Sequence, residues 1–178
     1  MTDGTPAGEL SRLIHVRSIP IDTVRIEASE EERGRLAQRF GLCAVHTLAA
    51  DVDLEADGAE VRATGRLTAA IEQDCAVSGQ PFATAVDEPI DLLFIPEAEQ
   101  PAAGFDEEIE LAADELDRIA FAGDSFDLGE AVAQTLGLAI DPYAEGPDAD
   151  AARAKAGIVT DDAPAGPLAA ALAGLKLP

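Results

Sequence analysis

GRLTAAIEQDCAVSGQPFATAVDEPIDLLFIP, residues 65–96, carries the clearest alternation of apolar and polar residues in this chain. Together with the residues just before it, it puts Val61, Ala63, Gly65, Leu67, Ala69, Ile71 and Cys75 on one face. Arg62, Thr64, Arg66, Thr68, Glu72 and Asp74 fall on the other, which is the period of a half-buried strand. Ser78-Gly79-Gln80-Pro81 supplies turn chemistry. After it Phe82, Val86, Ile90, Leu92 and Phe94 form a second apolar face that ends at Pro96. Counting across the turn pairs Val77 with Phe82 and Leu67 with Leu92, and both apolar rows then share one side. Glu88 and Pro89 interrupt the second strand and predict an edge or a bulge, because proline has no N–H for the ladder.

Upstream, Leu42, Ala44, His46, Leu48, Ala50, Val52 and Leu54 share a face, with Asp51, Asp53 and Glu55 opposite. Asp57-Gly58 is read as a two-residue hairpin loop of type I′, in which both residues take positive φ. That loop pairs Ala56 with Ala59, Leu54 with Val61, Val52 with Ala63 and Leu48 with Leu67. A one-residue slip would turn one apolar row into water. Ser29 with Glu32 is a capping box that opens a helix over residues 30–40. Glutamates fill its first turn, Arg33, Arg35 and Arg39 follow, Gly41 is placed as the left-handed stop, and Leu36 and Phe40 form its buried stripe. Before it, Ile14 and Val16 alternate with His15 and Arg17 in a first strand within residues 10–19 that Pro20 ends.

Downstream, residues 97–104 read as a Pro/Ala linker, and residues 108–111 and 118–121 as short strands. Asp127 with Glu130 forms a second capping-box pattern, opening a helix to about Ala139 that Pro142 terminates. Residues 146–167 are Ala, Asp, Gly and Pro with little to bury and are expected to lack order, while Leu168, Leu172 and Leu175 have the spacing of a short terminal helix. The fold class is therefore α+β: an antiparallel meander of about four to six strands, two packed helices and a partly disordered C-terminal tail. Residues 1–9 are read as a flexible N-terminus, 10–143 as a single domain and 144–178 as the tail.

Thirty-five acids against 12 bases give a formal charge of −23, which repels nucleic acid and anionic membrane and attracts a basic partner. The charge is bipolar. Residues 10–42 hold six arginines against five acids, whereas residues 106–150 hold 14 acids against the single base Arg118. The acid-rich segment, with Asp114, Glu115 and Asp117 in it, is either a solvated face or a surface that imitates nucleic acid for a lysine- and arginine-rich protein. Arg33, Arg35 and Arg39 form a possible basic patch, and with Arg12, Arg17 and Arg25, and Arg62 and Arg66 on the outer strand face, they could bind phosphate, but lysine and aromatic stacking support for RNA is almost wholly missing. No apolar run reaches the roughly 18–20 residues of a membrane span, no leader pattern opens the chain, and the expected location is the cytoplasm.

Catalytic and metal signatures are missing. Cys43 and Cys75 are too few for a disulfide framework, and neither has the histidine or cysteine neighbours of a zinc site, so both read as small core residues. His46 reads as a core or rim histidine opposite Ala69, and His15 lies on a polar face. There is no phosphate loop, nucleophile elbow or helical His-Glu-x-x-His. We expect no catalytic residue, no metal and no cofactor.

The segments Gly65-Arg-Leu-Thr-Ala, Cys75-Ala-Val-Ser-Gly-Gln-Pro-Phe and Leu92-Leu-Phe-Ile-Pro96, followed by Phe126-Asp-Leu-Gly-Glu-Ala-Val and Leu136-Gly-Leu-Ala-Ile-Asp-Pro-Tyr143, resemble the bacterial YceD family over roughly residues 10–143. The matching positions are Gly65, Cys75, Pro81, Phe94, Pro96, Asp127, Leu128, Gly129, Glu130, Leu136, Leu138, Asp141 and Pro142. The chain departs from the pattern at Ser78, where several members carry a second cysteine, and at Ala144-Glu145, where Pro-Arg is usual. The resemblance implies a role in accumulation of large-subunit ribosomal RNA. Because the family's genes often adjoin one for a small basic ribosomal protein, it also implies such a protein, or an assembly intermediate, as partner. The expectation is a non-enzymatic factor in large-subunit biogenesis. The alternatives are an acidic protein-binding module unrelated to ribosomes and, less favoured, an enzyme acting on RNA.

Overall fold

The computed structural model describes residues 8–97 and 117–158. In chain order the elements are β1 (Leu13–His15), β2 (Val24–Glu27), α1 (Glu30–Phe40), β3 (Ala44–Asp57), β4 (Glu60–Asp74), β5 (Pro81–Pro96), β6 (Asp117–Phe121), β7 (Ser125–Asp127), α2 (Leu128–Ala139) and α3 (Ala149–Ala156). They divide between two compact units, Met1–Gln73 with Ala83–Asp141 and Asp74–Phe82 with Pro142–Pro178.

The first unit carries a five-stranded sheet in the order β2-β3-β4-β5-β6 and a separate pair, β1 with β7. The alternation in β4 is borne out: Val61, Ala63, Leu67, Ala69 and Ile71 are buried, and Arg62, Arg66 and Thr68 are exposed. Gly65 serves close approach. A Cβ there would lie 2.1 Å from the Asp51 carbonyl oxygen of the neighbouring strand. Leu36, Leu67, Phe94, Leu128 and Leu136 are buried in one apolar cluster, and the rings of Phe94 and Phe126 stack at 4.1 Å. The first predicted strand is real but short, and it leaves the main sheet to pair Leu13 with Asp127.

The hairpin register differs from expectation by two residues. Ala56 pairs with Val61, Leu54 with Ala63, Val52 with Gly65, Ala50 with Leu67 and Leu48 with Ala69. Asp57 pairs with Glu60, so the loop is Gly58-Ala59. Gly58 has φ 64° and among the described residues none other than glycine has positive φ, which suits a type II′ turn, with glycine first, and not type I′. Further along, the ladder shifts between Val45 and Thr47. This bulge changes the parity of the strand: Val45 is buried, and His46, expected inward, is exposed with its Nε2 3.2 Å from Glu72. Cys43, expected in the core, is exposed as well.

The edge on the other side also departs from a pure meander, because β6 lies parallel to β5, with Leu92 beside Asp117 and Pro96 beside Phe121. The predicted strand over 108–111 and the terminal helix lie outside the described residues. Leu67 does not face Leu92. The guanidinium groups of β4 meet β5 elsewhere, Arg62 at Asp91 and Arg66 at Asp87.

In the second unit, the turn after β4 closes on itself. The Cys75 N–H donates to the Gln80 carbonyl and the Gly79 N–H to the Cys75 carbonyl, both at 2.9 Å, and Gly79 takes φ 66°. Val77 therefore belongs to the turn and is not paired with Phe82 in the ladder. The segment expected to lack order contains α3. Its Ala149 is buried, Gly157 (φ 73°) provides a left-handed stop, and Arg153 bridges Glu145 and Asp150. Low apolar content hid a helix held by its C-cap and by charge pairing.

Candidate interaction sites

Asp127 joins β7 to α2. As N-cap its Oδ1 accepts the Glu130 amide at 3.1 Å, and the same carboxylate accepts the Arg12 amide at 2.7 Å and the Ser11 hydroxyl. The Leu128 N–H donates to the Arg12 carbonyl at 3.0 Å. Residues 10–12 thus cross the first turn of α2, and Gly129 is what allows it, since a Cβ would lie 2.7 Å from the Arg12 nitrogen and 2.9 Å from the Leu10 oxygen. Leu10 and Leu128 are fully buried beside this crossing.

Glu130 does not complete the reciprocal arm of a capping box. Its carboxylate instead takes the Arg39 guanidinium fork at 2.9 and 2.8 Å. That ion pair lowers the Glu130 pKa and raises that of Arg39. Arg39 also reaches Glu9 at 3.0 Å and lies over the Phe40 ring. Gly137 packs against the same ring, leaving no room for a Cβ. At α1 the capping box forms as expected, with Ser29 and Glu32 exchanging bonds. Arg12 adds a second fork to Glu32, at 2.7 and 3.1 Å, and holds its pKa down to about 2.

The other motif positions are placed as follows. Phe94 and Leu136 are core residues and Pro96 ends β5. Leu138 is 83% exposed. The Asp141 carbonyl receives the buried Gln73 amide at 3.4 Å. In the second unit Cys75 is buried and its sulfur accepts the Val77 and Ser78 amides at 3.4 and 3.3 Å. The Ser78 side chain foremost, with these amides, lowers the thiol pKa to about 7. Pro81 opens β5 and Pro142 follows α2.

The charged candidates are placed as follows. Arg39 is engaged by Glu130, Arg35 stands 3.6 Å from Glu31, and Arg33 donates to the Ala28 carbonyl. On the outer sheet face Arg25 meets Glu27 and Asp51, alongside the pairs of Arg62 and Arg66. Of the acidic positions, Asp114 and Glu115 lie outside the described residues and Asp117 begins β6. Among the described residues no group of three or more His, Cys, Asp or Glu side chains is placed to hold a metal, and no helix is long and apolar enough to cross a membrane. Sequence reasoning placed Arg12 only among possible phosphate contacts and missed the Arg12–Glu32 and Arg39–Glu130 pairs. Their partners lie far along the chain, so no local spacing marks them.

A mostly antiparallel sheet with helices against it, joined at an Asp-Leu-Gly-Glu helix start, defines a mixed α+β protein. The chain belongs to the family described as large ribosomal RNA subunit accumulation protein YceD, whose model matches residues 63–176. The match begins within β4 and runs beyond α3, whereas the motifs alone suggested residues 10–143. No curated protein and no solved structure matches the chain.

Proposed function

We propose that this protein is a non-enzymatic factor in large ribosomal subunit biogenesis, and that it acts by binding a basic ribosomal protein or an assembly intermediate. The family name supports the process. The observation that carries the binding mode is electrostatic. Arg12, Arg25, Arg39, Arg62 and Arg66 each contact a carboxylate within about 3 Å, on a chain whose formal charge is −23. Guanidinium groups neutralised within the protein are poorly disposed to bind phosphate, and long-range attraction then favours cationic partners.

Ribosome profiles of a deletion strain test this. The expected result is a deficit of large subunits with free small subunits in excess, restored by the intact gene. An unchanged profile would overturn the ribosomal reading and favour an acidic binding module with another partner.

A further inference from the structure

The strand β5 carries three acids, Asp87, Glu88 and Asp91. Asp87 and Asp91 face outward and each holds an arginine of β4. Glu88 differs. It shares the parity of the buried residues Val86, Ile90, Leu92 and Phe94 and is itself half-buried; it feels the charge of Arg66, whose close partner is Asp87, and makes no hydrogen bond or ion pair of its own among the described residues. It lines a notch of about 550 Å³ between β5, β6 and α2 whose floor includes Ile90, Leu92, Ile119 and Ala131, with Leu138 exposed at its lip.

A carboxylate beside apolar surface is poorly solvated and gains from a cation that comes with its own apolar stem. We propose that this notch receives a single lysine or arginine side chain from a basic protein partner, the stem lying on the apolar floor and the charge meeting Glu88. The proposal rests on the basic-partner reading and names its docking point. A strand added to the β5 edge fits less well, because Pro89 and the inward Glu88 are features that block edge pairing. A second copy is opposed by repulsion between chains of charge −23.

Calorimetric titration of the full chain with a synthetic peptide of alternating lysine and alanine tests this. We expect Glu88→Gln to weaken binding about tenfold, the effect of losing a charge-assisted hydrogen bond. Glu55→Gln, which removes the same charge at an exposed position of β3, should change it by less than about twofold. Leu138→Ser should weaken it, as should replacing each lysine by diaminopropionic acid, which keeps the charge and removes the stem. Equal effects of Glu88→Gln and Glu55→Gln on a peptide that still binds would overturn the notch and leave the basic-partner reading standing. Failure of the peptide to bind would overturn both. Methyl NMR contacts of Ile90 and Ile119 to residues 98–116 or to a second copy, undisplaced by the peptide, would also overturn the notch.

Discussion

Leu67 and Thr68 are consecutive residues with opposite surroundings, one with no exposure and the other in solvent. Leu67→Asp leaves a charge with neither water nor partner and is expected to cost more than about 4 kcal/mol, while Thr68→Asp should stay within about 0.5 kcal/mol. Chemical denaturation of the two variants checks this, and equal midpoints would refute the strand faces. Glycines supply a second contrast. Gly129→Ala drives a methyl into the Arg12 backbone, whereas Gly34→Ala, within α1, meets nothing within 4 Å. The first should destabilise by about 2 kcal/mol and the second stabilise by about 0.5 kcal/mol, measured as opposite shifts in Tm. The alternation that exposed Leu67 in the sequence failed at His46, because a bulge adds one residue to a strand and leaves no mark in composition.

At the scale of elements, α1 and α2 are each fixed by a carboxylate and an arginine from elsewhere in the chain. Arg12 depresses Glu32 from its ordinary 4.5 to about 2, so deprotonated Glu32 is favoured in the folded protein. Its stabilisation is fully present above the ordinary value and is lost as pH falls from 4.5 towards about 2. Glu130, lowered by Arg39, acts in the same direction. Arg12→Met should therefore lower Tm at neutral pH and flatten its acid dependence, so that the difference between variant and parent shrinks below pH 4.5 and is smallest at about pH 2. A constant difference across the range would remove Glu32 from the account. Both helices and their caps were legible in the sequence, because caps and stops are local. The registers were not: a slip of two residues returns every side chain to its original face, so the Asp57-Gly58 loop and the observed Gly58-Ala59 loop satisfy the apolar pattern equally well. Nor does periodicity distinguish a parallel neighbour from an antiparallel one, which is why β6 was read into a meander.

Over the whole molecule, charge carries the functional argument. Part of the bipolarity read from the sequence is taken up in the structure by local pairing, since Arg39 meets Glu130 and Arg12 meets Glu32, and the chain as a whole keeps its excess of acids. Neither pair was visible beforehand, because only the fold brings Arg12 to Glu32 on α1 and Arg39 of α1 to Glu130 on α2. The acid-rich run that includes Asp114, Glu115 and Asp117 keeps its excess whatever the local pairing, at one base against 14 acids over residues 106–150. The most direct measurement is the affinity of the full chain for a basic ribosomal protein as the proposed partner, over a series of salt concentrations, with and without Asp114→Asn, Glu115→Gln and Asp117→Asn combined. Those changes remove three charges while preserving size and polarity. Binding through the acidic surface predicts that the triple variant associates more slowly and shows a shallower salt dependence, with Tm nearly unchanged. Unchanged or tighter binding by that variant, together with loss of binding when Arg33, Arg35 and Arg39 are neutralised, would contradict the account and turn it towards RNA.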